Sequence, residues 1–214
     1  MRIIPFEINS GKYNMEKDSE ILENAIASGD TEPIFRLYGW SPQCISLGRN
    51  QKDNFLNYEL LKSEGVDVVR RLTGGRALLH DMELTYSYVC PISILDNGEN
   101  VKASYMEISS FLIDKMKKLG IELGFGSGGQ VHTKFDYCML ISTGADLTYQ
   151  GKKLIGSAQL RKDGYILQHG SILYDLNEEL IRKIFPETFD KSSITTVKEI
   201  NPQIKFEDLV NIFS

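Results

Sequence analysis

The stretch Arg70-Arg71-Leu72-Thr73-Gly74-Gly75-Arg76-Ala77-Leu78-Leu79-His80-Asp81 sets two arginines, a glycine pair, a third arginine and a histidine between two apolar runs. Val66, Val68 and Val69 precede it and Leu84-Thr85-Tyr86-Ser87-Tyr88-Val89 follows, and both runs have strand character. The string therefore occupies a handover between strands. Adjacent glycines permit positive φ and let backbone approach a ligand closely. The arginines bring forked donors for a carboxylate, a phosphate or a polarised carbonyl. A Gly-Gly hairpin with charged shoulders is the plain alternative, but a hairpin needs much less than the full string.

Pro5–Ile8 reads as a short edge strand. Asn14–Ala27 has apolar residues at Met15, Ile21, Leu22, Ala25 and Ile26, a helical spacing that Gly29 closes. Ile34–Tyr38 and Cys44–Gly48 read as strands joined by Gly39-Trp40-Ser41-Pro42 as a turn. Asn57–Glu64 is a short helix stopped at Gly65. Ala103–Leu119 is the clearest helix, with Met106, Ile108, Phe111, Leu112, Met116 and Leu119 on its apolar side and Gly120 as its stop. Strands follow near Tyr137–Ile141, Asp146–Gln150 and Lys153–Gln159, with a Gly151-Lys152 turn, then one over Gly164–Tyr174. Asn177 caps a helix to Ile184, and Phe206–Phe213 starts a last one. Strands gathered into meanders with few interposed helices predict an α+β fold of mixed, mainly antiparallel sheets flanked by helices. No linker-like composition divides the chain, so residues 1–214 are expected to form one domain.

The chain has 214 residues, 42% hydrophobic and 25% charged, with a formal charge of −5. The acidic balance argues against a dedicated nucleic-acid binder. No run approaches the eighteen or so apolar residues of a membrane span, and the N-terminus lacks the apolar core of a signal peptide. Cys44, Cys90 and Cys138 are odd in number and widely spaced, which predicts neither a disulfide framework nor a zinc site. A cytoplasmic protein is expected.

Several residues outside the opening string bear on chemistry. Cys138 lies in the apolar run Phe135–Ile141, where a cysteine is ordinarily inert core. Lys153 lies fifteen residues later, beyond a turn that lets a meander bring its ammonium back toward the thiol. A thiolate is the competent nucleophile, and a nearby cation lowers a thiol pKa of about 8.5 toward neutrality. Gly156-Ser157-Ala158-Gln159 and Gln168-His169-Gly170-Ser171 set small residues beside donors and acceptors. They fit close approach of a ligand or, equally, a hairpin whose polar groups bond one another. His80, His132 and His169 show no zinc-ligand spacing, and Gly124–Gly129 is a loop rather than a dinucleotide fingerprint.

Together these segments resemble the biotin/lipoate protein ligase superfamily over about residues 3 to 185. Asn14-Met15-Glu16-Lys17-Asp18 resembles its first-helix motif, and Trp40-Ser41-Pro42 with Ser46-Leu47-Gly48-Arg49-Asn50-Gln51 its first hairpin. Arg70–Asp81 resembles its acyl-binding loop, Gly151–Gln159 its lysine strand, and Leu167–Ile172 the strand after it. Arg76, Ser157-Ala158-Gln159 and the interval from Cys138 to Lys153 resemble one branch, the cysteine-dependent octanoyltransferases of lipoic acid synthesis.

The resemblance implies that Cys138 takes octanoyl from octanoyl-acyl carrier protein as a thioester and yields it to a lysine of a lipoyl domain. Lys153 stabilises the thiolate, and the amides of Gly74 and Gly75 hold the oxyanion. Arg71, Thr73, Arg76, His80, Gly156, Ser157, Ala158, His169 and Gly170 bind substrate. Neither ATP nor a metal is needed, since a thioester is already activated. A monomer without the C-terminal accessory domain of many ligases, binding neither nucleic acid nor membrane, is expected. The rivals are an ATP-dependent lipoate-protein ligase, a lipoyl-domain amidotransferase and a non-catalytic acyl-binding protein.

Overall fold

A computed structural model describes residues 1–126, 144–186 and 191–214. Among these the strands form two sheets. The larger starts at edge strand β1 (Arg2–Asn9), beside β2 (Ile34–Trp40). The smaller is built from β3 (Cys44–Leu47), β4 (Asp67–Arg70) and β5 (Leu78–His80), with β3 in the middle, parallel to β4 and antiparallel to β5. Beyond β2 the larger sheet continues with β6 (Glu83–Pro91), which is joined on its other side by β10 (Tyr165–Leu173). It ends with β9 (Lys152–Lys162), β8 (Leu147–Tyr149) and β7 (Gly124–Phe125). Its pairings are antiparallel except β1 on β2. This is the expected mixed α+β arrangement.

Helix α1 (Gly11–Ser28) starts at Ser10, whose hydroxyl accepts from the Tyr13 amide, and ends at Gly29 in the left-handed region (φ 66°). It touches β2, β6 and β10 of the larger sheet and β3 and β4 of the smaller, so it joins the two. Asparagine side chains cap α2 (Tyr58–Ser63), α3 (Val101–Lys117) and α4 (Glu178–Ile184), each accepting an amide of the first turn at 3.0–3.1 Å. Short helices α5 (Val197–Ile200) and α6 (Phe206–Asn211) close the described chain. The main core unites both sheets: Phe35, Ile45, Leu84, Leu112, Ile155 and Ile172 are buried together, and Phe213 packs on Phe35 and Phe111.

Several expectations change. β2 and β3 are not a hairpin: Gly39 and Trp40 still belong to β2, and the chain leaves the sheet at Ser41-Pro42 to build the second one. Trp40 is held back because its indole N–H donates to Thr85 Oγ1 at 2.8 Å. The Gly-Gly hairpin fails too, since β4 and β5 lie on opposite sides of β3. Gly124 and Phe125 form a strand rather than a loop, and the β8–β9 turn falls on Gln150-Gly151, both at positive φ. Met106, placed on the apolar side of α3, is 37% exposed. Val197–Ile200 was not anticipated, and the strand expected at Tyr137–Ile141 lies outside the described residues.

The crossover brings Gly48, just past β3, against the glycine pair. A methyl on Gly48 would collide with the Gly75 carbonyl oxygen, which is backbone and cannot swing aside, whereas one on Gly74 meets nothing within 4 Å. Gly48→Ala is therefore expected to cost about 1–3 kcal/mol in urea denaturation, the range for overpacking, and Gly74→Ala clearly less. Equal losses would refute this account of the loop's packing.

Candidate active site

On the buried face of α1, Asn14 and Asp18 stand one turn apart among apolar neighbours. The Asp18 carboxylate accepts four hydrogen bonds: from Arg36 Nη1 at 2.9 Å, Tyr38 OH at 2.8 Å, Ser87 Oγ at 2.8 Å and His169 Nδ1 at 3.3 Å. Arg36 also donates to Asn14 Oδ1 at 2.7 Å and lies over the Tyr38 ring. Burial pushes the Asp18 carboxyl up, but its bonds to His169, the Arg36 charge and Tyr38 outweigh that and hold it below the usual range. Burial, reinforced by the Asp18 charge, pushes the Tyr38 phenol well above its ordinary value. His169 reaches on to Thr73 of the glycine–arginine loop, Nε2 to Oγ1 at 2.6 Å.

A second network supports the same loop. Arg71 Nη1 donates to Ser46 O at 2.8 Å and Ser46 Oγ at 3.1 Å, and its Nη2 to the carbonyls of Gly74 and Arg76 at 2.9 and 2.7 Å. Ser46 Oγ lies 2.7 Å from His80 Nε2, and His80 Nδ1 lies 2.7 Å from Glu83 Oε1. Burial pulls the His80 imidazole below its ordinary value despite Glu83, so at neutral pH the ring is neutral. Nδ1–H then donates to Glu83 and Nε2 accepts from Ser46. Trp40 stacks on the His80 ring at 3.8 Å, while Thr85 and Ser171 donate to the Glu83 carboxylate.

Between these networks opens a cavity of about 250 Å³. The loop contributes Arg71, Gly75 and Arg76 to its wall, β9 contributes Lys153, Gly156, Ser157 and Ala158, and β10 contributes His169, Gly170 and Ser171. Lys153 and Asp146, both buried, pair at 3.1 Å on this wall. Of the residues singled out in the sequence, Arg71, Gly75, Arg76, His80, Lys153, Gly156, Ser157, Ala158, His169 and Gly170 line the cavity together. Thr73 and Gly74 stand behind it, bonded to His169 and Arg71. Cys138 and His132 lie outside the described residues.

Two of the arginines bond backbone carbonyls. Arg70 donates to those of Gly48 and Gln51, each at 2.7 Å, and so ties the loop to the segment after β3, while Arg71 donates to those of Ser46, Gly74 and Arg76. Sequence reasoning gave no role to Arg36, Ser46, Glu83, Tyr86 or Asp146. The available signal was polar residues recurring on faces otherwise apolar, as with Asn14 and Asp18 on α1.

The family model for the lipoyl protein ligase A/B catalytic domain matches residues 10–214. The octanoyltransferase LipM of Macrococcus caseolyticus is 38% identical over 188 residues, covering 83% of this chain and 67% of the relative. The octanoyltransferase LipM of Staphylococcus epidermidis is 34% identical over 232 aligned residues, covering 96% and 83%. A crystal structure of lipoate-protein ligase A bound with ATP superposes with a TM-score of 0.80 at 19% identity, over 99% of this chain and 81% of that one, a likeness of fold.

Asp18→Asn leaves the buried Arg36 without a counter-charge and gives an amide where four donors converge. Breaking a buried pair in this way costs about 3–5 kcal/mol, to be read from urea denaturation at neutral pH. Because folding depresses the Asp18 pKa, its contribution is complete above the unfolded carboxyl value near 3.9 and fades as pH falls through the lower folded one. The gap between wild type and Asp18→Asn should therefore narrow below about pH 4; a constant gap would exclude the ionised carboxylate as its source.

Proposed function

We propose that this chain, which belongs to the lipoyl protein ligase A/B catalytic-domain family, moves octanoyl from octanoyl-acyl carrier protein to a lysine of a lipoyl domain through a thioester on Cys138. It is an acyltransferase, of the octanoyltransferase kind. What carries the finer reading is the cavity, where the glycine–arginine loop meets the lysine strand and the two buried networks. Its volume falls just below the roughly 300–1,000 Å³ of drug-sized sites, room suited to a slender chain.

The chemistry needs two exchanges at one carbonyl carbon. The Cys138 thiolate adds to the donor thioester, the bond to the carrier's sulfur breaks, and the carrier thiolate leaves. An uncharged lysine amine of the lipoyl domain then adds to the acyl-enzyme, loses a proton and expels the Cys138 thiolate, leaving an amide. Each exchange passes an oxyanion, for which the amides of Gly74 and Gly75 are the proposed donors. One well-placed donor is worth about 3–4 kcal/mol. Lys153 is proposed to offset the thiolate charge. The ATP-dependent ligase remains the rival reading, since lipoate ligases share the fold.

Incubation with octanoyl-acyl carrier protein, without ATP, should add one octanoyl group to the intact protein. The adduct should vanish in Cys138→Ala. No adduct, with ATP-dependent lipoylation that survives Cys138→Ala, would favour the ligase instead. Lys153→Ala should move the alkylation profile of Cys138 to higher pH; an unmoved profile would remove Lys153 from thiolate stabilisation.

A further inference from the structure

Tyr86, Gly170 and Ser157 form one row across three strands, since Gly170 pairs with Tyr86 on β6 and with Ser157 on β9. Side chains paired across a sheet stand on the same face. A Cβ on Gly170 would lie 2.7 Å from Tyr86 Cε1 and 2.8 Å from Ser157 Oγ. The missing side chain is what lets the outer two meet, with Tyr86 OH 2.7 Å from Ser157 Oγ.

Neighbouring bonds fix the direction of this one. Gln159 Nε2 donates to Gln168 Oε1 at 2.9 Å, which orients the Gln168 amide. Gln168 Nε2 then donates to Tyr86 OH at 2.9 Å. Burial pushes the Tyr86 phenol up to about 12, so it keeps its proton. Tyr86 is fully buried, and among the described residues Ser157 Oγ is the acceptor within its reach. Leaving that proton unbonded would incur the cost of a buried, unsatisfied donor. Tyr86 therefore donates to Ser157. A hydroxyl has one proton of its own; that of Ser157 has no acceptor among the described residues, and Ser157 lines the cavity.

We infer that Ser157 presents its O–H to the cavity as a directed donor for the carbonyl oxygen of the bound acyl group. This rests on the proposed octanoyl transfer. An alkyl chain offers no acceptor, so on an alkanoyl ligand the carbonyl is the group such a donor selects. Ser157 is the residue that touches substrate, while Tyr86 and Gln168 are positioning residues that act through it. The same donor strengthens its bond as negative charge grows on that oxygen during either exchange.

The test compares two ligands by calorimetry: pantetheine carrying octanoyl through an amide in place of the thioester, and S-octyl pantetheine, which lacks the carbonyl. Ser157→Ala and Tyr86→Phe are each expected to weaken the carbonyl ligand about three- to tenfold, the range of one hydrogen bond. Both should leave the thioether within about twofold. Because Tyr86 acts only through Ser157, the double variant should bind no more weakly than Ser157→Ala, a non-additivity that independent structural damage does not give. Equal loss for both ligands, no loss for either, or additive losses would overturn the inference. Absence of octanoyl transfer by the wild type counts against the proposed function alone, and carbonyl selectivity then still decides the role of Ser157. Failure of the wild type to bind either ligand would sink both.

Discussion

The pairing of Asp18 with Arg36 is the constraint on which the site depends. Each charge taken from water costs several kcal/mol even after relaxation, and both side chains are 1% exposed. The sequence compensates by converging donors from four directions on one carboxylate. Arg36 and Tyr38 come from β2, Ser87 from β6 and His169 from β10, while Asp18 itself hangs from α1. One side chain thus fixes the helix against three adjacent strands. Since His169 passes the connection to Thr73, the glycine–arginine loop is registered against the same point.

The second network does for the loop's far side what the first does for its base. Arg71 spends its guanidinium on carbonyls of its own loop and on Ser46, which in turn bonds the neutral His80 held by Glu83. Two linked sets of satisfied polar groups therefore shape the cavity wall before any ligand arrives. Buried networks of this kind stabilise only when every member is paired. That requirement explains why the polar residues flanking the cavity are so many and so specific. It also explains why glycines sit among them, since Gly48 and Gly170 leave room that the protein's own backbone and hydroxyls then occupy.

Local signals made the elements legible. Asn57 and Asn177 mark helix starts, Gly29 and Gly120 mark stops, and the apolar spacing of α1 and α3 gives their inner faces. The glycine–arginine loop stood out too, as a handover between strands, because its unusual string needs no long-range information. Pairing was not. Whether Cys44–Leu47 folds back on Ile34–Trp40 or founds another sheet depends on partners twenty to forty residues away, Asp67–Arg70 and Leu78–His80. The backbone partners of Arg70 and Arg71 were hidden for the same reason, since the carbonyls of Ser46, Gly48 and Gln51 are brought near them only by the crossover. Small residues at Gly156 and Gly170 suggested close approach, but not that Tyr86 would fill the space.

Lys153 brings an amine to the cavity wall. Lys153 is buried, and an isolated ammonium there would be too costly to keep. Asp146 supplies the counter-charge at 3.1 Å. On the proposed mechanism this changes what the lysine does. A thiolate brought beside a neutral pair meets a partly compensated charge, so its stabilisation is smaller than a lone ammonium would give. In return, the ammonium is tolerated in the interior when no thiolate is there. The cavity then gains a cation whose position is fixed by its partner, and directed donors such as Ser157 carry a larger share of the charge that develops at the acyl carbonyl.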